Sequence, residues 1–137
     1  MGEMKVLIID DEEDTRSICS MSLGLIDGAQ VVEAASGSDG LIVAAQEQPD
    51  VIILDLLMPG MDGAETLRNL RRNPETEKIP VIFLTTKGMF DEFDGLKSLG
   101  ALAVIPKPFD PVRIGSQIQQ ILQKAQPGSA SSTEASQ

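Results

Sequence analysis

The chain has 137 residues and a formal net charge of −10; 42% of the residues are hydrophobic, and histidine, tryptophan and tyrosine are absent. That length fits one domain with a real core, and the acidic balance argues against direct contact with nucleic acid, whose phosphates require a basic surface. Without histidine there is no imidazole metal ligand and no Ser-His-Asp triad, and the usual aromatic platforms for stacking bases are missing.

In chain order, apolar runs alternate with helical patterns. Val6–Ile9 reads as a fully buried strand and runs straight into five acids, Asp10 to Asp14. It is too short for a secretory leader, and no stretch approaches the roughly 18 apolar residues of a membrane span. Asp14–Leu25 reads as a helix with Asp14 as N-cap and Ile18, Met21 and Leu25 as its apolar face. Its one cysteine, Cys19, permits no internal disulfide and reads as a buried thiol in a reducing, cytoplasmic setting. Gln30–Ala34 is a short strand, and Ser36-Gly37 opens a helix that Pro49-Asp50 stops. Val51–Leu54 is the most apolar strand and ends in Asp55. A turn at Pro59–Gly63 leads to a helix carrying Leu67 and Leu70. Val81–Leu84 is a strand ending in Thr85-Thr86, and Met89–Leu99 is a helix closed by Gly100. Ala103–Ile105 is the last strand. Asp110-Pro111 opens a final helix with Ile114, Ile118, Ile121 and Leu122 on one face; Gly115 costs it about 1 kcal/mol against alanine. Residues 1–125 make up the folded unit, and 126–137 form a small, polar tail or the start of a linker.

Five β-α units with near-continuous apolar strands predict an α/β fold, a parallel sheet covered by helices on both faces. Ligands of such sheets bind at the carboxyl ends of the strands, where the strand order reverses. Asp10 and Asp11 end the first strand, Asp55 the third and Thr85 the fourth, and Lys107 lies just past the fifth. In a 2-1-3-4-5 order these groups converge. Two carboxylates 4 Å apart repel by roughly 4 kcal/mol at an effective dielectric of 20, so Asp10, Asp11 and Asp55 point to a small hard cation such as Mg²⁺, which keeps several waters and leaves room for a phosphoryl oxygen. Glu12, Glu13 and Asp14 read as a solvated first helical turn that complements the helix dipole.

The set Asp10-Asp11, "DLLMPGMDG" (Asp55–Gly63), "IPVIFLTT" (Ile79–Thr86), "LGA" (Leu99–Ala101) and "KPF" (Lys107–Phe109) resembles the receiver domain of two-component response regulators, over about residues 4 to 124. The resemblance implies a flavodoxin-like (βα)5 three-layer sandwich. It implies Asp55 as phosphoacceptor from a sensor histidine kinase or a histidine phosphotransfer protein. It further implies Mg²⁺, or Mn²⁺, on Asp11, Asp55 and the backbone carbonyl of Leu57, with Asp10 acting mainly through water. Lys107 would pair with the phosphoryl group, its bond to Pro108 would be cis, and Thr85 would supply a hydroxyl. The readout would be a downstream protein target or an output domain outside this chain. Such a domain catalyses its own phosphotransfer and slow dephosphorylation without being an enzyme on another substrate.

The chain departs from the family pattern at four positions. Val104 stands where an aromatic ring usually turns inward on activation. Leu57 and Lys87 occupy the variable positions that tune phosphoryl lifetime, and Thr86 is bulkier than usual. These departures predict a long-lived phosphoryl group and a switch through Thr86-Lys87-Gly88. Two other readings compete. A docking module that no longer cycles would have lost a pocket residue, and none is lost. A phosphatase of the haloacid dehalogenase type would carry its nucleophile after the first strand, where Asp10 and Glu12 fit the required motif poorly.

Overall fold

The computed structural model describes residues 4–86 and 93–125. Five strands, β1 (Lys5–Ile9), β2 (Gln30–Ala34), β3 (Val51–Asp55), β4 (Val81–Thr86) and β5 (Ala103–Lys107), form one parallel sheet in the order β2-β1-β3-β4-β5. Between and after them run helices α1 (Glu13–Met21), α2 (Gly37–Glu47), α3 (Gly63–Arg72), α4 (Phe93–Ser98) and α5 (Ile114–Ala125). This is the flavodoxin-like arrangement expected from the sequence. Among the described residues no helix is long and apolar enough to cross a membrane.

Side chains alternate across a strand with period two, so each central strand feeds both faces of the sheet. Leu7, Ile9, Ile52, Leu54, Val81 and Phe83 point to the side where Ala44 of α2, Leu67 and Leu70 of α3 and Leu96 of α4 close over them. Val6, Ile8, Ile53, Ile82 and Leu84 meet Cys19 of α1, Leu23, and Ile114 and Ile118 of α5. Most of these side chains are fully buried, and each contributes about 1.5–3 kcal/mol relative to exposure. The two cores clamp the strands from both sides, so the polar groups at the strands' carboxyl ends lie outside the apolar layers.

The first helix departs from expectation. Glu12, not Asp14, occupies its N-cap position, with extended backbone and no side-chain cap, and Asp14 lies inside the first turn. Past Met21 the chain widens into a π-helical turn, Ser22–Ile26. Ile18, Met21 and Leu25 are 47%, 59% and 80% exposed, whereas Cys19 and Leu23 are at 0%. The buried stripe lies one residue round the helix from the predicted one. Both stripes satisfy a helical period, and Cys19 and Ser22 disguise the inner one because neither reads as strongly apolar.

Other boundaries moved by up to three residues; α5 begins at Ile114, whereas Asp110-Pro111 was expected to open it. β5 extends to Lys107, so this lysine belongs to the strand end instead of following it. Asp110 organises the turn before α5: its Oδ1 accepts from the Val112 N–H at 2.9 Å and its carbonyl from Arg113 and Ile114 at 3.0 Å. Gly115 has a packing role beyond its helix propensity, since a Cβ there would run into the Asp27 carboxylate. The expected helix start at Met89, the Lys87-Gly88 pair and the 126–137 tail lie outside the described residues.

Candidate functional site

The register of the sheet builds the site. Ile9 pairs with Leu54 across β1 and β3, so the residues that follow, Asp10 and Asp55, emerge side by side. Thr85 and Thr86 pair with Pro106 and Lys107 across β4 and β5, which brings a hydroxyl and an ammonium to the same end. Asp10, Asp55 and Thr85 are 1%, 6% and 2% exposed, while Asp11 is exposed. One carboxylate oxygen from each of Asp10, Asp11 and Asp55 lies within 4.8 Å of the others.

Lys107 crosses this cluster. Its Nζ lies 3.2 Å from Asp55 Oδ1, 3.3 Å from Asp10 Oδ2 and 3.6 Å from Glu12 Oε1. The other Asp10 oxygen accepts from the Glu12 N–H at 2.9 Å. Arg16 holds the loop from below, donating from Nη1 to the Asp10 carbonyl at 2.7 Å while its Nε pairs with Glu33 at 3.0 Å. The Lys107-Pro108 bond is cis. Leu57, Asp11, Glu12, Asp55, Thr85, Thr86 and Lys107 line a cavity of about 210 Å³ over the cluster.

Burial, then the negative charge of Asp10, push the Asp55 carboxyl up from 3.8 to about 6; Lys107 pulls it down without cancelling the shift. Burial alone would lower the Lys107 ammonium, but the Asp55 and Asp10 carboxylates overcome this and raise it. The site therefore holds more negative charge than its one ammonium neutralises. The donor set of three carboxylates fits a hard divalent cation. Thr85 Oγ1 is buried with no hydrogen-bond partner among the described residues. Buried hydroxyls are normally paired, and this one lines the cavity.

All the predicted site residues meet here: Asp10, Asp11, Asp55, Thr85 and Lys107 around the cluster, and Leu57 on the rim with its side chain 56% exposed. Glu12 is exposed, as a solvated helical turn requires, and in addition it pairs with Lys107 and lines the cavity. Nothing in the local sequence signals this, because its partner lies on the fifth strand.

Residues 6–119 match the family model described as response regulator receiver domain. The chain is 38% identical over 129 residues to "Probable transcriptional regulator ycf27" of Guillardia theta, covering 93% of this chain and 49% of that protein. It is 36% identical over 118 residues to "Protein PilH" of Pseudomonas aeruginosa, covering 86% of this chain and 97% of that protein. The chain spans about half the length of the first of these relatives. The solved structure of Vibrio cholerae chemotaxis protein CheY4 superposes with a TM-score of 0.81 at 32% identity, covering 87% of this chain and 98% of that one. The sheet order, the cluster of aspartates at its carboxyl end and these matches agree: the chain belongs to the response regulator receiver domain family of two-component signalling.

Proposed function

We propose that Asp55 accepts a phosphoryl group from a phosphohistidine on a sensor kinase or a phosphotransfer protein. The observation that carries this reading is the convergence of three carboxylates with an ammonium 3.2 Å from Asp55. A carboxylate oxygen of Asp55 attacks phosphorus, the bond from phosphorus to the donor nitrogen breaks, and the nitrogen keeps the electron pair and gains a proton. Asp11 and Asp55, with the Leu57 carbonyl, would hold Mg²⁺ or Mn²⁺, and Asp10 would reach it through water. When bound, the cation neutralises charge gathering on the phosphoryl oxygens. Lys107 follows the phosphoryl group as a flexible point charge. Thr85, with no hydrogen-bond partner among the described residues, would donate to a phosphoryl oxygen.

A groove of about 320 Å³ adjoins the pocket, lined by Thr15, Ile18, Thr86, Lys107, Pro108, Phe109 and Pro111. With the exposed Ile18 and Met21 it offers an apolar landing for the phosphodonor. The signal leaves by contact with a protein target or through an output domain beyond the tail, with residues 1–125 as the receiver unit. The chain catalyses its own phosphorylation and slow dephosphorylation and acts on no other substrate.

Phosphotransfer from a panel of purified sensor kinases tests this reading. Labelling by at least one kinase, dependent on Mg²⁺ and lost in Asp55→Asn, is expected. Labelling that persists in chelator would overturn it.

A further inference from the structure

The Lys107 ammonium has three carboxylate neighbours, and two of them, Asp10 and Asp55, belong to the cation site. The third, Glu12, does not. Its Oε1 stands 3.6 Å from Nζ on the solvent side, and the same oxygen accepts from Thr15 Oγ1 at 3.3 Å. Its backbone N–H is bonded to Asp10, which fixes where the side chain starts. Arg16 is committed to the Asp10 carbonyl and Glu33. Among the described residues, Glu12 thus has one cationic partner, Lys107, at the cavity rim.

We infer that Glu12 is a positioning residue that holds Lys107 between cation binding and arrival of the phosphoryl group; this rests on the receiver reading above. A cation that settles between Asp10, Asp11 and Asp55 must displace Lys107 from two of its partners. Glu12 gives the ammonium an alternative outside the ligand set, so its presence eases cation entry. An incoming phosphoryl group must then draw Lys107 away from Glu12, so the same carboxylate competes with the phosphoryl oxygens. Glu12 therefore acts with opposite sign on the two ligands, and in both cases through Lys107. A group that merely capped α1 would weaken both alike.

The test uses the intact chain, Glu12→Gln, Lys107→Ala and the double variant. Mg²⁺ binding is read by calorimetry at low salt, then beryllofluoride binding by ¹⁹F NMR in saturating Mg²⁺. Glu12→Gln is expected to weaken Mg²⁺ about two- to five-fold and tighten beryllofluoride by a similar factor, the range that exposed ion pairs span. Both effects should shrink in about 0.5 M salt, where screening is strong, and vanish in the Lys107→Ala background. Two unchanged affinities, or shifts of equal size without Lys107, would overturn the role of Glu12. A parent chain that binds no beryllofluoride would overturn the receiver reading instead, and the Mg²⁺ titration would still decide the case of Glu12.

Discussion

The Lys107 ammonium lies 3.2 Å from the Asp55 carboxylate, although β4 separates their two strands. Its charge serves the carboxylates, while the Thr85 hydroxyl on the intervening strand has no hydrogen-bond partner among the described residues. One ammonium cannot balance the cluster, and the excess negative charge makes the metal-free protein sensitive to pH.

Folded Asp55 binds its proton more tightly than an unfolded aspartate, with its pKa raised from 3.8 to about 6. Its stabilising contribution is therefore full below about pH 4 and is lost as the pH rises through about 6. In chelator, Asp55→Asn should gain stability over the parent as the pH goes from 5 to 7.5, by on the order of 1 kcal/mol across that interval. Urea midpoints at several pH values check this; a constant difference would contradict it.

Removing Asp11 should abolish cation-dependent phosphorylation, since it is one of the three clustered carboxylates. In chelator, Asp11→Ala should be at least as stable as the parent, because relief of repulsion accompanies loss of an exposed side chain. Calorimetric Mg²⁺ titration together with urea unfolding measures both effects. Unaltered Mg²⁺ affinity would exclude Asp11 from the site.

Gly63 begins α3 directly against the end of β3. A Cβ there would meet the Asp55 carbonyl at 2.5 Å and the Leu56 Cα at 2.8 Å. Both are backbone atoms, so the strand end itself would have to move. Gly63→Ala should cost about 1–3 kcal/mol, the usual range for overpacking, and slow phosphorylation by displacing Asp55. Unfolding midpoints and acetyl phosphate labelling report the two effects separately.

Ile18 lines the groove that leads to Lys107 and Phe109, and Met21, one turn further along α1, is exposed as well. Charging them with Ile18→Asp and Met21→Asp should leave the fold intact, because neither is in the core. Phosphotransfer from a kinase should fall about ten-fold or more, the cost of a hot-spot residue, while labelling by acetyl phosphate stays unchanged. Equal losses with both donors would point to damage in the pocket and not in docking.

The strand ends were legible because each apolar run stops at a residue no core would accept. Asp10, Asp55 and Thr85 advertise the site by that contrast, and parallel topology does the rest. Lys107 was legible from its motif, although the strand carries it further than the apolar run implied. The burial of α1 was legible at Cys19 alone: Ile18, Met21 and Leu25 form the more apolar stripe, yet they are exposed, and Leu23 joins Cys19 in facing the core. Apolar periodicity marks a face without saying whether the sheet or a partner covers it. Gly115 was hidden for a related reason. Its value lies in contact with Asp27, a residue far away in the chain. Val104 is partly buried and packs against the core on the α2–α4 side. The proposed route through Thr86, Lys87 and Gly88 runs largely outside the described residues.

The central claim is that Asp55 alone carries the phosphoryl group. The direct measurement is to phosphorylate the chain with acetyl phosphate in Mg²⁺, trap the acyl phosphate by reduction with borohydride, and locate the modified residue by peptide mass spectrometry. The account expects modification at Asp55 and none in Asp55→Asn. Modification at Asp10, in the parent or in that variant, would contradict it.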